Sequence, residues 1–308
     1  MNEHVEGRHP YQTTPSRAGA AGRALLGALV MTLALGVGTV VGPSLVELLE
    51  LDPHGFPGRL VPAALVGGIA LSLVVLLGRY DGRPVLPRLG LDRGRSALRG
   101  FVLGVVVTGT SAVVVLGAGS AAGRLSWSPA DPVPLIVFLF TNGVVALLLE
   151  ALPEEVTLRG YTWTALRLRW SASVAAVGTT ALFLLVPGAT SLVQAGVGLL
   201  LGIGPLPVGP VPAGQDAVSY LVLLTVFGFT LVAARTATGS LWTAVATHLT
   251  FLTVNRITFE GVRRDAGWSA DPTPDAVLLV PLYLLVALGV YLVLGRLRRR
   301  RPEHTPDR

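Results

Sequence analysis

Apolar segments that recur along the chain constrain its fold more than any other feature. Most are close to the length of about 20 residues with which a helix crosses the hydrocarbon core of a bilayer, where no water can satisfy exposed backbone groups. The segments lie at about residues 24–46, 60–77, 101–118, 133–152, 173–186, 218–234, 241–257 and 276–294. They predict an all-α, polytopic membrane protein with about eight transmembrane helices.

The composition agrees with a membrane protein, since the chain is 51% hydrophobic and only 14% charged. A soluble protein of this length would need charged helix faces, whereas most of these segments are apolar all round. The formal net charge of +6 is therefore attributed to membrane topology, which makes membrane lipid the expected partner and excludes nucleic acid. Cysteine is absent, so disulfides, thiolate metal ligands and cysteine nucleophiles are excluded.

Arginine is concentrated in the segment 78–100 and after residue 295. Short cytoplasmic loops are enriched in Arg and Lys, so both regions are expected in the cytoplasm, together with the N-terminus. The sequence thus predicts a multi-pass protein of the plasma membrane with both termini cytoplasmic. A shorter apolar stretch at 191–203 is interpreted as non-spanning, because a ninth span would export the arginine-rich tail.

Three regions are distinguished along the chain. Residues 1–23 are polar and rich in Gly, Pro and Thr, which predicts a disordered cytoplasmic tail. Residues 24–295 contain all the apolar segments and are interpreted as a single transmembrane domain. Residues 296–308 form a basic tail, which is expected to contact anionic lipid in the cytoplasmic leaflet.

A charged cluster stands at the end of the fourth apolar segment, in the stretch LLLEALPEEVTLRGYTW. On a helix Glu150 and Glu154 share one face, while Glu155 and Arg159 share a neighbouring face and can form an ion pair. Glu154 is then free to point into the bundle, where an ionisable group is a candidate for function. The alternative is a helix start at Pro153, with the carboxylates at the positive end of the helix dipole.

His248 is the only one of the five histidines that lies inside an apolar segment. It stands about two turns into the seventh segment, at a depth that a carboxylate from the fourth could reach. A glutamate and a histidine at one depth can bind and deprotonate a water molecule, with or without zinc. The alternative is a histidine that only forms a hydrogen bond between helices.

Two motifs together resemble the CPBP family of intramembrane metalloproteases, the CAAX proteases and bacteriocin-processing (Abi-type) enzymes. PEEVTLRG, at 153–160, is similar to the family's Glu-Glu-x-x-x-Arg-Gly motif. FGFTLVAARTATGSLWTAVATH, at 227–248, is similar to the stretch that leads into the family's catalytic histidine. The family-like core covers 133–256, and the resemblance implies a CAAX-protease-like helical bundle.

The resemblance also implies a function and a set of site residues. Glu154 matches the glutamate that activates the hydrolytic water, Glu155 and Arg159 match its supporting pair, and His248 matches the histidine of the last motif. Glu150 is an additional carboxylate one turn from Glu154. The implied activity is intramembrane endopeptidase, the implied partner is a membrane-presented or lipidated peptide, and the implied cofactor is Zn²⁺ held by Glu154 and His248.

Two positions depart from the family pattern. Phe183 of the Phe-x-x-x-His motif is present, but Pro187 replaces its histidine, and Leu252 replaces the asparagine of the last motif. Asn255 lies about two turns beyond His248 on a similar face and is considered as a supporting residue. A zinc site usually has three protein ligands, so the visible set is incomplete.

These departures leave alternatives open. The chain is either an endopeptidase with a degenerate active site or a catalytically inactive pseudoprotease that acts as a membrane binding or scaffold protein. A transporter is less favoured, because no repeated halves or paired broken helices are visible.

Overall fold

The computed structural model describes residues 15–80 and 88–300. Within these ranges the chain forms eight long helices, which we number in chain order: α1 (Arg17–Leu48), α2 (Phe56–Tyr80), α3 (Gly94–Ala121), α4 (Pro132–Arg167), α5 (Ala172–Leu200), α6 (Ala217–Thr238), α7 (Leu241–Glu260) and α8 (Leu279–Arg300). The predicted all-α, polytopic fold is confirmed. One small antiparallel pair, β1 (Leu125–Trp127) and β2 (Ala270–Pro272), and a 3₁₀ turn at Pro274–Leu278 complete the elements.

Seven of the eight helices are long and apolar enough to cross a membrane, and α7 is the exception. Its sequence includes His248, Asn255 and Arg256 among several threonines. Polar side chains at membrane depth are favourable only where neighbouring helices satisfy them. The fold provides this, because α7 packs against α3, α4 and α6.

The fifth predicted segment, 173–186, and the stretch 191–203 are not separate pieces. Helix α5 runs through Pro187 as far as Leu200, so the predicted break after residue 186 is wrong. Proline is tolerated in membrane helices, where neighbouring helices, side chains and local adjustments satisfy the backbone group that it leaves free. One turn beyond the proline, the Ser191 hydroxyl donates to the Gly188 carbonyl oxygen at 2.8 Å.

The proline-rich segment after Leu200 returns along α5 instead of remaining at its end. Pro210 packs so close to Gly188 that a Cβ there would lie 3.2 Å from its Cα. The backbone N–H of Gly209 also donates to Ser191 Oγ at 3.1 Å. Twelve residues separate Gly188 from Leu200, which corresponds to about 18 Å of helix. The segment therefore reaches well into the bundle.

The chain ends differ in extent from the predicted regions. Helix α1 begins at Arg17, where Ser16 Oγ accepts a hydrogen bond from the Gly19 N–H at 3.0 Å, so residues 17–23 are helical. Helix α8 continues to Arg300. The remaining tail residues, 1–14 and 301–308, lie outside the described residues, as does 81–87 of the arginine-rich loop.

Close contacts fix α4 against α1 and α2. A Cβ at Gly27 would lie 2.3 Å from Thr162 Oγ1, and one at Gly67 would lie 2.8 Å from the Leu148 carbonyl oxygen. Thr162 Oγ1 also donates to the Ala24 carbonyl oxygen at 3.0 Å. Glycine at these two positions therefore lets both helices approach the charged part of α4 directly.

Candidate active site

Helix α4 is not a regular α-helix in the part that carries the charged residues. It widens into π-helical turns at Leu147–Ala151 and Glu155–Thr162, separated by a short α-helical piece at Leu152–Glu154. Wide turns of this kind are rare and often occur at functional sites, because they rotate side chains away from regular α-helical spacing. They set the directions of the two adjacent glutamates.

Glu155 faces the interior of the bundle and bonds two buried side chains. Its Oε1 lies 3.3 Å from Arg159 Nη1 and 3.0 Å from His248 Nδ1. Glu155 and Arg159 are completely buried, and His248 is only 2% exposed. One carboxylate oxygen thus bridges two nitrogen donors and orients both side chains. Glu155 Oε2 and the Nε and Nη2 atoms of Arg159 are buried without a hydrogen-bond partner among the described residues, so the pair only partly offsets the loss of water.

Aromatic rings complete this network. The Arg159 guanidinium lies 4.3 Å from the centroid of the Phe183 ring, at a distance suited to a cation–π contact. Phe227 meets the His248 ring edge to face at 4.8 Å and stacks on Phe251 at 4.2 Å. The phenylalanine of the middle motif therefore holds the supporting arginine, and the histidine ring is fixed on two sides.

Glu154 faces the opposite way from Glu155, into a cavity of about 830 Å³. His248 and Glu150 line the same cavity, whereas Glu155 and Arg159 do not. The Glu154 carboxylate forms no ion pair or hydrogen bond among the residues that the structure describes. The structure therefore brings Glu154 and His248 together around one space, with Glu155 and Arg159 on the far side of the histidine.

The cavity wall is mostly apolar. It includes both positions that depart from the family pattern, Pro187 and Leu252. Neither side chain can donate a hydrogen bond or bind a metal. The remaining apolar lining includes Leu35, Phe183, Val186, Leu223, Leu224, Phe227, Phe251 and the loop residues Pro207, Val208, Val211, Pro212 and Ala213.

The other two predicted site residues have partners of their own. Asn255 Nδ2 donates to Tyr283 Oη at 2.7 Å and to the Phe251 carbonyl oxygen at 2.8 Å, and Asn255 does not line the cavity. Glu150 forms an ion pair with Arg256. Asn255 therefore lies outside the site. Glu150 lines the cavity, but its carboxylate is paired with Arg256.

Sequence reasoning missed three features of the site. The loop 207–215 forms part of the wall, Tyr220 brings a phenol group to the cavity, and Arg256 neutralises Glu150. Arg256 was detectable, since an arginine inside a predicted span needs a buried acidic partner. No pattern in the sequence indicated the return of the loop or the position of Tyr220.

The residues present do not fit a zinc site. Zinc is usually held by three protein ligands and a water, with histidine prominent. Within 15–80 and 88–300, no group of three His, Asp or Glu side chains is arranged to hold a metal ion. His248 uses Nδ1 for Glu155 and Glu150 is paired with Arg256, so Glu154 and the remaining ring nitrogen are the two uncommitted ligand groups that these residues offer at the cavity. This is fewer than the three protein ligands that zinc usually has.

Comparison with known protein families gives a match across the site. Residues 133–254 match the family model described as type II CAAX prenyl endopeptidase Rce1-like. The predicted family resemblance is confirmed. This CAAX-protease-like core covers less than half of the chain and contains every residue of the Glu155 network as well as Glu154. No curated protein and no solved structure gives a significant match to the chain.

The family match over the CAAX-protease-like core supports an endopeptidase of that type, in a chain with several helices that could cross a membrane. The core begins in α4 and ends in α7, the two helices whose side chains meet at the cavity. Helices α1 to α3 and α8 lie outside the matched residues, and each of them packs against helices of the core.

Proposed function

We propose that this protein is an intramembrane endopeptidase that hydrolyses a membrane-presented or lipidated peptide with a water molecule activated by Glu154. The single observation that carries this proposal is the cavity shared by Glu154 and His248, with Glu155 fixing the histidine from behind. The CAAX-protease-like core supports the same class of reaction. No metal is needed in the scheme below.

Glu154 acts as the general base. It is the unpaired carboxylate of a largely apolar wall, and an unpaired carboxylate in such surroundings is a stronger base than one held by arginine. It takes a proton from the water as the water oxygen attacks the peptide carbonyl carbon. It then gives that proton to the leaving amine when the carbon–nitrogen bond breaks, which returns Glu154 to its starting state.

His248 positions the water. When Nδ1–H donates to Glu155 Oε1, at 3.0 Å, the neutral ring has its lone pair on Nε2, which can accept a hydrogen bond from the water. Glu154 accepts the second hydrogen of the same water. Arg159 holds Glu155 in place through their ion pair, which makes the two residues positioning residues that act through the histidine.

The negative charge on the carbonyl oxygen needs a donor, and Leu252 cannot supply one. Tyr220 and Thr190 bring hydroxyl groups to the cavity. Thr190 Oγ1 is buried and has no hydrogen-bond partner among the described residues. We assign the oxyanion contact to the Tyr220 phenol, since it stands on α6, lines the cavity and has no hydrogen-bond partner for its hydroxyl among the described residues.

The substrate follows from the size and polarity of the cavity. A volume of about 830 Å³ holds a short peptide segment or part of a lipid chain rather than a folded domain. The apolar wall favours apolar side chains or a hydrocarbon group. We place the protein in the plasma membrane with both termini cytoplasmic, on the basis of its arginine distribution.

One specific observation favours a second function, that of a pseudoprotease. Pro187 and Leu252, which replace a histidine and an asparagine of the family pattern, both line the cavity. An apolar side chain in place of a ligand or donor is typical of a site that still binds a peptide but has lost turnover. Under this alternative the cavity binds the peptide and Glu154 contributes no catalysis.

The deciding experiment compares wild-type protein with Glu154→Gln in proteoliposomes that contain a farnesylated reporter peptide. We expect cleavage by the wild type and a loss of about a thousandfold in the variant, the size of effect typical of a general base. Asp271→Asn is the matched control, because it makes the same carboxylate-to-amide change on an exposed residue of β2. Peptide binding without Glu154-dependent cleavage would instead support the pseudoprotease.

A further inference from the structure

A second cavity, of about 790 Å³, lies beside the first and has a different chemical character. It is formed by the end of α1, the start of α2, the end of α7 and the middle of α4, and it shares Leu149 and Glu150 with the first cavity. Its wall carries six charged side chains, Glu47, Glu50, Arg59, Glu150, Arg256 and Arg264. Neither the predicted motifs nor the proposed reaction uses this cavity.

Two of the three arginines are paired with glutamates. Arg256 pairs with Glu150 and also donates to Asn142 Oδ1 at 3.1 Å, while Arg264 shares the Glu260 carboxylate with Arg263. Both arginines are therefore fixed parts of the wall. They contribute positive potential at the edge of the cavity, but both guanidinium groups are already paired with carboxylates.

Arg59 is different, because no ion pair or side-chain hydrogen bond holds it among the described residues. Its side chain is half-buried in the first turn of α2. A guanidinium that is partly withdrawn from water and has no protein partner is costly unless an anion binds it. Its planar fork suits the oxygens of a phosphate.

Glu47 and Glu50 also form no ion pair with any residue in 15–80 or 88–300, and they are exposed at the rim of the same cavity. Glu47 lies in the last turn of α1 and Glu50 just beyond it, where it adopts a positive φ of 53°. Two free carboxylates at the rim offer several acceptors to a cation that carries N–H groups.

The order of these groups along the helix axes matches a phospholipid. Glu50 lies beyond the end of α1, and Arg59 is three residues into α2, which places it about 4.5 Å deeper along the helix. Pro62 and Val145 lie further into the bundle and are apolar. From the rim inwards the cavity therefore presents acceptors for a cation, then a donor for an anion, then the apolar side chains of Pro62 and Val145 beside the ion pair of Glu150 and Arg256.

We propose that this second cavity binds the headgroup of an aminophospholipid. The phosphate is bound by Arg59, the primary ammonium by Glu47 and Glu50, and the glycerol and first methylenes lie along the apolar part of the wall. A primary ammonium donates up to three hydrogen bonds to carboxylates, whereas a choline group donates none. The site therefore selects phosphatidylethanolamine over phosphatidylcholine, and over phosphatidylglycerol, which has no cation.

Native mass spectrometry of the purified full chain, with phosphatidylethanolamine, phosphatidylcholine and phosphatidylglycerol of identical acyl chains, tests the proposal. We expect phosphatidylethanolamine to be retained most strongly by the wild type. Arg59→Gln should weaken its binding about tenfold, the effect of one charge-assisted hydrogen bond. Arg79→Gln, at the other end of the same helix, is the matched control and should leave the order of the three lipids unchanged.

A second variant does not depend on the half-buried arginine. Glu47→Gln combined with Glu50→Gln changes only exposed side chains and should abolish the preference for phosphatidylethanolamine over phosphatidylglycerol. Equal retention of the three lipids by the wild type, or an unchanged preference in this double variant, would overturn the proposal. Displacement of the lipid by an equal concentration of glycerophosphoethanolamine would overturn the assignment to a lipid. Glu154→Gln should retain the lipid fully, so failure of the proposed reaction and failure of this site are distinguishable.

Discussion

The two neighbouring cavities use the same helix for opposite purposes. On α4, Glu150 and Glu154 are four residues apart, and both reach the first cavity. Glu150 also lines the second cavity and is paired there with Arg256, whereas no arginine of the described residues lines the first cavity. The residues around a carboxylate therefore decide its role. Glu150, beside an arginine, is a structural anchor, whereas Glu154, in an apolar wall, is a candidate base.

The largest effect on the first cavity is expected from His248. His248→Gln removes the ring nitrogen that positions the water, so kcat should fall about a hundredfold to ten-thousandfold, in the range of general acid–base groups. The measurement is hydrolysis of the farnesylated reporter in proteoliposomes. His54→Gln changes an exposed histidine near the start of α2 and should leave kcat unchanged. Full activity of His248→Gln would remove the histidine from the mechanism.

The next largest effect is expected on the stability of the protein, from Arg159 on the interior side of the same network. Arg159→Met leaves the Glu155 carboxylate buried without its arginine partner, so the free energy of unfolding should fall by about 3–5 kcal/mol. Thermal unfolding in detergent measures this, with Arg124→Met in an exposed ion pair as the control. A loss below about 1 kcal/mol, the value of a surface pair, would contradict the structural role of Arg159.

Much of this arrangement could be predicted from the sequence, and the misses have identifiable causes. Apolar segments located the helices because the bilayer sets their length, and the Glu-Glu-x-x-x-Arg spacing located the pair Glu155 and Arg159. The predicted end of the fifth segment at residue 186 was wrong, because the helix continues to Leu200 and contacts the returning loop through Ser191. Such contacts come from residues distant in sequence and leave no local pattern.

The direction of Glu154 could be predicted only in part. Regular α-helical spacing put it on one face with Glu150, and both do line one cavity. The widened turns at Leu147–Ala151 and Glu155–Thr162 had no signature in the residues. Asn255 was considered as support on the basis of its spacing from His248, but its amide is held by Tyr283.

A smaller effect is expected at the proposed oxyanion contact. Tyr220→Phe keeps the ring and removes only the hydroxyl, so kcat should fall about tenfold to a hundredfold with little change in KM, somewhat less than for a fully formed oxyanion hole. The changes in kcat and in KM are measured separately on the same reporter. A change in KM alone would show that Tyr220 only binds the substrate.

The smallest effect is expected from metal removal. Since Glu154 and His248 do not complete a zinc ligand set, treatment with a chelator should change activity by less than about twofold. The metal content of the purified wild type should be measured beside that of Pro187→His. The variant adds a histidine to the cavity wall and therefore shows whether a third ligand is what the site lacks for zinc. Loss of activity on chelation and recovery with zinc would contradict a metal-free reaction.

In the proposed reaction the wall around each carboxylate, and not its position near the motif, makes Glu154 rather than Glu150 the base. The most direct measurement is kcat of Glu154→Gln beside Glu150→Gln in the same proteoliposomes. We predict a loss of about a thousandfold for Glu154→Gln and of less than about tenfold for Glu150→Gln. Equal losses in the two variants, or a larger loss for Glu150→Gln, would contradict the account.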